Sequence, residues 1–434
     1  MKKVIALLLA ALFCLTLFAC NNDNSDSGNT SQGTSSSPGA PASPGTAASP
    51  GTAASPGAGE PASTEPQVLK IGGMFCTTGW IAQIDMPNAN ELTAFADLIN
   101  KKGGWEIGGT TYMIDVVISD VQSDPAYART AALYLFDQDV QFVFDGMEFI
   151  VAGTKDLFEE YGVFHSDQLP SDPNGAGPQW PHYHYSSAGL YSNYQTAIAA
   201  AVKYFPDVKM VAYCENDSGT NDFNYEFCKK GAVAAGIEIA PNPIVYPGET
   251  ADFAAIALAL SQTGADAFIA AGPATNNGAI VRELRNLGSD MIYLCPTPQN
   301  VVTLSWIVGP DAAYNILTMG TIPTAPGHTQ WYYDAYENYK EMFGEEDAML
   351  MTGNSPNALF ILLNVMKAAG SVDVKAVMDK WVSLDTVETL FGPGPVCGAS
   401  LYGTPRVVAS PSGISILNGN GEVEFKGYIE NYLD

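Results

Sequence analysis

One strand–helix–strand unit decides the fold: it consists of LKIGG at residues 69–73, ELTAFADLIN at 91–100 and YMIDVVI at 112–118. The outer segments are short apolar runs typical of strands, and the middle segment places Leu92, Phe95 and Ile99 on one face of a helix. Similar alternation continues in two series, one ending at His165 and the next running from Asn193 to Leu294. This pattern predicts an α/β fold of two similar lobes, with parallel sheets, crossover helices and a ligand crevice at the strand ends.

Local signals mark individual elements. Asp124 is placed to cap a helix over 127–136, with Pro125 at its first position. Residues 237–245 are predicted to form a single strand, and 357–369 and 374–382 to form helices. A mixed segment with strands over 413–417 and 423–429 closes the chain.

The amino terminus predicts export. Lys2 and Lys3 precede an apolar run over 4–18 that is too short for a comfortable membrane span. The run ends in LFAC at 17–20, so we expect a lipoprotein signal peptide at 1–19 and lipidation of Cys20; an ordinary signal peptide with a chance cysteine is the alternative. Residues 20–66 repeat ASPGTA and predict a disordered Pro/Ser/Gly/Ala tether to the membrane.

Charge and motif content exclude several classes of protein. The formal charge is −27, and loss of Lys2 and Lys3 with the signal makes it more negative, which argues against nucleic acid and against electrostatic docking on anionic lipid. The sequence has no GxSxG, P-loop, GxGxxG or HExxH motif, so we expect no enzyme activity and no cofactor.

The cysteines and histidines leave alternatives open. Cys76, Cys214, Cys228, Cys295 and Cys397 are expected to be mostly small buried apolar residues, although Cys214 and Cys228 are close enough in sequence to pair. His165, His182 and His184, with Asp167 or Glu148, are compatible with a metal site, but the spacing is unspecific. Packing and hydrogen bonding are the favoured interpretation, and no metal is expected.

Five stretches in order resemble one known family. They are LKIGGM with TG at 69–74 and 78–79, ADLINKKGG at 96–104, SDVQSDPA at 119–126, YPGETADF at 246–253, and AGP at 271–273 followed by Arg282 and Arg285. The chain resembles the type I periplasmic solute-binding proteins of the leucine/isoleucine/valine-binding (branched-chain amino acid ABC transporter) group. The resemblance covers residues 68 to about 297 well and the remainder loosely.

The resemblance implies a two-lobed Venus-flytrap fold with three hinge crossovers, each lobe a parallel sheet flanked by helices. We place the crossovers near Ser186–Ser187, near Gly320 and near Thr404–Val407. The first lobe is then 67–186 plus 321–404, and the second is 187–320 plus 405–434. The resemblance also implies a monomer that serves ABC permease subunits.

The sequence departs from the family at the residues that bind the α-carboxylate and the ammonium group of an amino acid. Where members have hydroxyl residues for an α-carboxylate, this chain has Glu148, Phe149 and Ile150, then Gln168 and Ser171. Thr297 stands where the ammonium-pairing acid is expected. Aromatic residues are present instead, with Trp80 in place of the family's turn proline. The sequence therefore predicts a neutral or aromatic solute.

The predicted site combines these positions with Tyr185 of the first lobe and with Asp217 and Pro273 of the second lobe. It consists of Trp80, Glu148, Phe149, Ile150, Gln168, Ser171, Tyr185, Asp217, Pro273 and Thr297.

Three functional hypotheses follow. The leading one is the extracytoplasmic, lipid-anchored binding component of an ABC importer. A ligand sensor of the same fold signalling to a membrane receptor is the alternative. A secreted hydrolase is the third hypothesis, and the absence of a nucleophile motif from the sequence argues against it.

Overall fold

Two mixed sheets, each flanked by helices, form the molecule. The computed structural model describes residues 65–171, 175–297, 301–419 and 422–431. The predicted signal peptide, the lipidation site Cys20 and nearly all of the predicted tether lie outside these residues.

The first lobe is built on a nine-stranded sheet. Numbered in chain order through the whole molecule, its strands are β1 Gln67–Phe75, β2 Trp105–Ile107, β3 Thr110–Asp120, β4 Phe142–Asp145, β5 Phe164–Asp167, β6 Tyr183–Tyr185, β13 Thr386–Thr389, β14 Gly392–Cys397 and β15 Val407–Val408. Their order is β13–β14–β15–β6–β5–β4–β1–β3–β2. The central neighbours from β15 to β3 are parallel, and β2, β13 and β14 add antiparallel edges.

The second lobe is built on an eight-stranded sheet. Its strands are β7 Met210–Asn216, β8 Glu238–Ile239, β9 Ile244–Tyr246, β10 Ala267–Ile269, β11 Ile292–Cys295, β12 Tyr314–Met319, β16 Ser412–Asn418 and β17 Val423–Ile429. Their order is β17–β16–β12–β11–β10–β7–β8, and β9 also pairs with β7. Strands β7, β10, β11 and β12 run parallel, as the strand–helix alternation predicted.

Helices connect the strands. They are α1 Ala82–Lys101, α2 Pro125–Asp137, α3 Glu148–Val151, α4 Lys155–Tyr161, α5 Gly189–Tyr204, α6 Asn221–Ala235, α7 Ala254–Ser261, α8 Ala274–Asn286, α9 Val301–Val308, α10 Gln330–Phe343, α11 Glu345–Ala348, α12 Asn354–Ala369, α13 Val374–Trp381 and α14 Ala399–Tyr402, with a 3₁₀ turn at Ala152–Thr154 between α3 and α4. Helix α12 is buried along most of its length in the core of the first lobe, where it packs against α1.

The predicted cap of α2 is confirmed. The Asp124 side chain accepts a hydrogen bond of 2.9 Å from the backbone N–H of Ala126, and Pro125 occupies the first turn. The carboxylate thereby satisfies one of the amides that a helix start leaves without an intrahelical partner.

The single strand predicted over 237–245 is wrong. The chain forms two short strands, β8 and β9, and both pair with β7 at different points along it. Pro241 and Pro243 lie between them. Because proline has no amide hydrogen to donate, it interrupts the ladder that a continuous strand would need.

The chain passes between the two sheets three times, after β6, after β12 and after β15. The lobe boundaries given above stay a prediction. They differ from the observed sheets at β15, which belongs to the first sheet. Val407–Val408 pairs with β14 and with Tyr185 in the first sheet, although residues 405–434 were assigned to the second lobe. We therefore propose that the third crossing lies at residues 409–411.

The five cysteines of the described chain form no disulfide. Cys76, Cys214, Cys228 and Cys295 are buried, which confirms their expected role as small core residues. The possible pair between Cys214 and Cys228 does not form. Burial, reinforced by the nearby Asp85 carboxyl, raises the pKa of Cys76 to about 12.

No single helix among the described residues is long and apolar enough to cross a membrane. Helices α12 and α13 pass that test of length and composition only as a pair, with a bend of 98° between them.

Candidate ligand-binding crevice

The candidate site lies where the parallel strands of the two sheets end. In the first lobe, the relevant loops follow Phe75, Asp145 and Asp167, and in the second lobe they follow Asn216 and Cys295. The carboxyl ends of parallel strands are where α/β proteins bind ligands, because the loops there converge from several strands.

Two aromatic side chains stand exposed at the first-lobe edge of this crevice. Trp80 is 73% exposed and Phe149 is 52% exposed. Their ring centroids are 6.3 Å apart at an interplanar angle of 38°. The Trp80 Nε1–H donates a 3.0 Å hydrogen bond to the backbone oxygen of Ser123, which fixes one edge of the indole. The structure places these two predicted site residues beside each other, and both side chains are exposed.

A network around Asp120 shapes the turn that carries Trp80. The Asp120 carboxylate accepts hydrogen bonds from the Thr77, Thr78 and Gln122 amides and from the Thr78 hydroxyl, the last at 2.6 Å. Burial opposes ionisation of Asp120, but these hydrogen bonds outweigh it and lower the pKa of the carboxyl. Gly79 adopts φ +92°, where an added Cβ would lie 2.5 Å from the Ser123 hydroxyl. The turn is therefore held before any ligand arrives.

Beneath this edge lies a set of buried polar residues that we call the buried acid cluster: Asp145, Glu148, Lys155, Asp167 and Tyr185. Glu148 Oε1 accepts hydrogen bonds from Lys155 Nζ at 3.0 Å and from the Tyr185 hydroxyl at 2.7 Å. Glu148 Oε2 accepts from the Ser171 amide at 2.7 Å. The Glu148 carboxylate therefore has partners on both oxygens inside the lobe.

Asp145 and Asp167 are neighbours on the parallel strands β4 and β5. Burial, with the nearby charge of Glu148, raises the pKa of Asp145 to about 8 and that of Asp167 well above its ordinary value. Burial lowers the pKa of His165, which lies against Asp145, to about 3. At neutral pH the close contact between His165 and Asp145 therefore joins two neutral groups.

The remaining predicted residues have separate locations. Ile150 packs in a core cluster of the first lobe, and Tyr185 is fully buried, so neither side chain faces the crevice. Asp217 is exposed after β7 and accepts a 3.1 Å hydrogen bond from the Gly219 amide within a turn. Pro273 is exposed at the start of α8, and the Thr297 hydroxyl lies 3.1 Å from the Cys295 sulfur.

A second feature lies at the base of the crevice, where the chain crosses between the lobes. We call it the hinge cavity; it has a volume of about 80 Å³. Its lining includes Gln168, Ser187, Asn193, Thr321, Asn354 and Asn431, and none of the described residues that line it is charged. Gln168 is the one predicted site residue that lies here.

A family model described as periplasmic binding protein matches residues 68–397. The chain belongs to the periplasmic binding protein family. Solved structures support the same two-lobed fold. The branched-chain amino acid transporter substrate-binding protein LivJ of Streptococcus pneumoniae, solved with isoleucine, is 18% identical, with a TM-score of 0.65 over 84% of this chain and 100% of that one.

Two further structures extend the comparison. An ABC transporter solute-binding protein of Rhodopseudomonas palustris, solved with 4-hydroxybenzoate, is 18% identical, with a TM-score of 0.64 over 85% of this chain and 98% of that one. An ABC transporter substrate-binding protein of Sphaerobacter thermophilus is 14% identical, with a TM-score of 0.66 over 84% and 99%. At these identities the likeness concerns the fold. A search of curated proteins finds no match.

The histidines of this periplasmic binding protein serve packing. The His165 ring stacks on Phe158 at a centroid distance of 4.0 Å, and the His184 ring stacks on Phe164 at 4.7 Å. Within the described ranges, no group of three or more His, Cys, Asp or Glu side chains is arranged to hold a metal ion.

Sequence reasoning missed the amide residues of the hinge cavity. Asn193 follows the first crossing, Asn354 begins α12, and Asn431 lies near the end of the chain. The first of these lies only a few residues beyond the predicted crossing at Ser186–Ser187, so a search for polar residues beside each crossing would have found it. Asn354 and Asn431 have no local sequence signal, because only the folded chain brings them to the hinge.

Proposed function

We propose that this protein is the extracytoplasmic binding component of an ABC importer and captures a neutral or aromatic solute between its lobes. The observation that carries the proposal is the pair formed by Trp80 and Phe149. Large aromatic rings are normally buried, whereas these two are exposed side by side at the ligand-binding edge of the fold, Trp80 in the turn before α1 and Phe149 in the short helix α3. A planar or apolar solute that covered them would remove this surface from water.

The charges near the crevice favour a solute without strong charge. Lys155 belongs to the buried acid cluster and bonds to Glu148, so its cation is already engaged. The sequence at 172–174 is DPN and at 298–300 is PQN, and neither stretch contains Lys or Arg. A doubly anionic solute would therefore lose hydration without gaining a countercharge. The related structures bind isoleucine in one case and 4-hydroxybenzoate in another, so this fold accepts both aliphatic and aromatic solutes.

Replacing Trp80 tests this proposal. Trp80→Ala is expected to weaken binding of a hit from a panel of aromatic acids, amides, nucleobases and sugars by roughly 1–3 kcal/mol, because buried aromatic contact is lost. Trp306→Ala is the matched control: Trp306 is 74% exposed but is carried by helix α9 and not by a crevice loop. Thermal shift and calorimetry on both variants give the measurement. Equal affinity of Trp80→Ala and wild type for every hit would refute the aromatic site.

Two observations support the cellular role proposed next: the family to which the chain belongs and the sequence of its amino terminus. We propose a monomer anchored by lipid on Cys20, which presents closed, loaded lobes to ABC permease subunits and carries out no reaction. A sensor of the same fold is the alternative, and neighbouring permease and ATPase genes would decide between them. The proposed anchor predicts that Cys20→Ser releases the protein into the medium, whereas unchanged retention on membranes after a salt wash would rule the anchor out.

A further inference from the structure

Most polar side chains that line the hinge cavity are already engaged. Asn357 donates to the Ser410 hydroxyl at 2.8 Å and accepts from the Leu390 amide at 2.9 Å. The Asn431 carbonyl oxygen accepts from Thr196 at 2.6 Å, and its amide donates to Ser412 at 3.1 Å. These residues hold the crossing strands together and have little capacity left for a ligand.

Gln168 is the exception. The residue is 4% exposed, and its Nε2 has no hydrogen-bond partner. Its Oε1 accepts a 2.8 Å hydrogen bond from the Ser355 hydroxyl, and its backbone oxygen accepts from Ser187 at 3.0 Å. The side-chain amide is therefore held through its oxygen, and Gln168 lines the cavity while its two side-chain N–H bonds have no partner. A buried donor without a partner is costly, so a native structure rarely keeps one without a use.

The surroundings of the cavity disfavour an anion as the missing partner. Helix α12 begins beside the cavity, and its start would normally attract negative charge. Glu91 already occupies that position, because its carboxylate accepts from the Thr352 amide at 2.7 Å and from the Gly353 amide at 3.0 Å. A carboxylate in the cavity would find no cation among the described residues that line it.

The cavity also limits the size of what it can hold. Its volume of about 80 Å³ is well below the ~150 Å³ of an apolar cavity that accepts benzene. It therefore has room for a polar group of a few atoms but not for a whole ring. Gln168 lies close to the segment that leads into helix α3, which carries Phe149. The backbone N–H of Gln168 donates a 3.3 Å hydrogen bond to the backbone oxygen of Asp145.

We propose that the hinge cavity is the polar subsite of the solute site, where Gln168 Nε2 donates to a neutral acceptor oxygen such as that of a carboxamide. The proposal rests on the solute-binding function proposed above and specifies the chemistry of one end of the solute. The ring portion covers Trp80 and Phe149, and the neutral group reaches the hinge. Ser355 is a positioning residue that holds the Gln168 amide.

A matched pair of probes tests the subsite. 4-Hydroxybenzamide has a neutral carboxamide at the position where 4-hydroxybenzoate has an anionic carboxylate, and the two are otherwise the same. By calorimetry on the mature protein, the carboxamide is expected to bind at least tenfold more tightly than the carboxylate. Gln168→Met keeps the length of the side chain without the donor and is expected to reduce carboxamide affinity about tenfold, with little effect on the carboxylate. Ser355→Ala, which loosens Gln168 but keeps its donor, is expected to have a smaller effect in the same direction.

Gln262→Met is the control, because Gln262 is an exposed residue at the end of α7. Melting temperatures of all variants establish that they fold. Equal or tighter binding of the carboxylate, failure of both probes to bind wild type, or an undiminished carboxamide affinity in folded Gln168→Met would each overturn the subsite. The solute-binding function is judged separately by the Trp80→Ala comparison, so loss of one proposal leaves the other standing.

Discussion

Asp167 and Gln168 are consecutive residues at the end of β5, yet they belong to two polar regions of opposite kind. Asp167 lies in the buried acid cluster, where carboxyl groups, Lys155 and Tyr185 are packed inside the first lobe. Gln168 lines the hinge cavity, whose lining is uncharged. Within the cluster, Lys155 and Tyr185 both donate to Glu148, whereas Gln168 Nε2 in the described lining of the cavity has no hydrogen-bond partner. A buried polar residue with an unpartnered atom therefore indicates a ligand site only where that residue also lines a cavity, as Gln168 lines the hinge cavity and Asp145 does not.

The strongest test of this contrast removes the cation of the cluster. Lys155→Met is expected to destabilise the protein by about 3–5 kcal/mol, because it leaves the buried Glu148 carboxylate without its charged partner. Gln168→Met is expected to cost only about 1 kcal/mol, since it removes one neutral hydrogen bond. Urea denaturation measures both. Similar stability losses in the two variants would mean that the regions do not differ in the way described.

The second test asks whether the acids of the cluster are available to a ligand. Leucine, isoleucine and valine need a partner for the ammonium, and Thr297 offers only a hydroxyl that contacts Cys295. Glu148 is engaged by Lys155 and Tyr185, so it is not free to replace that partner. We expect binding to be weakened by on the order of 2–5 kcal/mol relative to a site with an intact clamp. A submicromolar dissociation constant for any of the three, measured by calorimetry, would show that the site is misplaced.

The third test uses pH. The folded-state pKa of Asp145 is raised to about 8, so its neutral form is favoured by folding. A carboxyl group with a raised folded-state pKa contributes to the free energy of unfolding. This contribution is fully present below the pKa of the unfolded state, near 3.8, and is lost as pH rises towards about 8. Wild-type stability should therefore decline across this range.

Asp145→Asn keeps the shape and removes the titration, so its stability should decline less over the same range. The difference at pH 8 is expected to be on the order of 1–3 kcal/mol in favour of the variant. Melting curves from pH 4 to pH 8 provide the measurement. Parallel pH profiles for the two proteins would show that Asp145 does not titrate as described.

The sequence predicted the alternating elements and the family well because these depend on local patterns. The capped start of α2 at Asp124 and Pro125 is a signal contained in adjacent residues. The exposed position of Trp80 followed from its place in a turn after a strand. Ile150 in α3 and Tyr185 in β6 were expected at the site but are buried, because the direction in which a short helix or a strand end packs depends on distant elements. The same holds for Asn354 and Asn431 at the hinge, which lie 186 and 263 residues from Gln168 in sequence.

The central claim is that the crevice holds a neutral solute between the aromatic pair and the hinge cavity. The most direct measurement is mass spectrometry of the small molecule retained by the mature protein after mild purification, followed by its rebinding to three proteins. We predict a neutral compound with an apolar or planar portion, which rebinds wild type more tightly than Trp80→Ala and more tightly than Gln168→Met. A retained dianion, or a compound that rebinds all three proteins equally, would contradict the account.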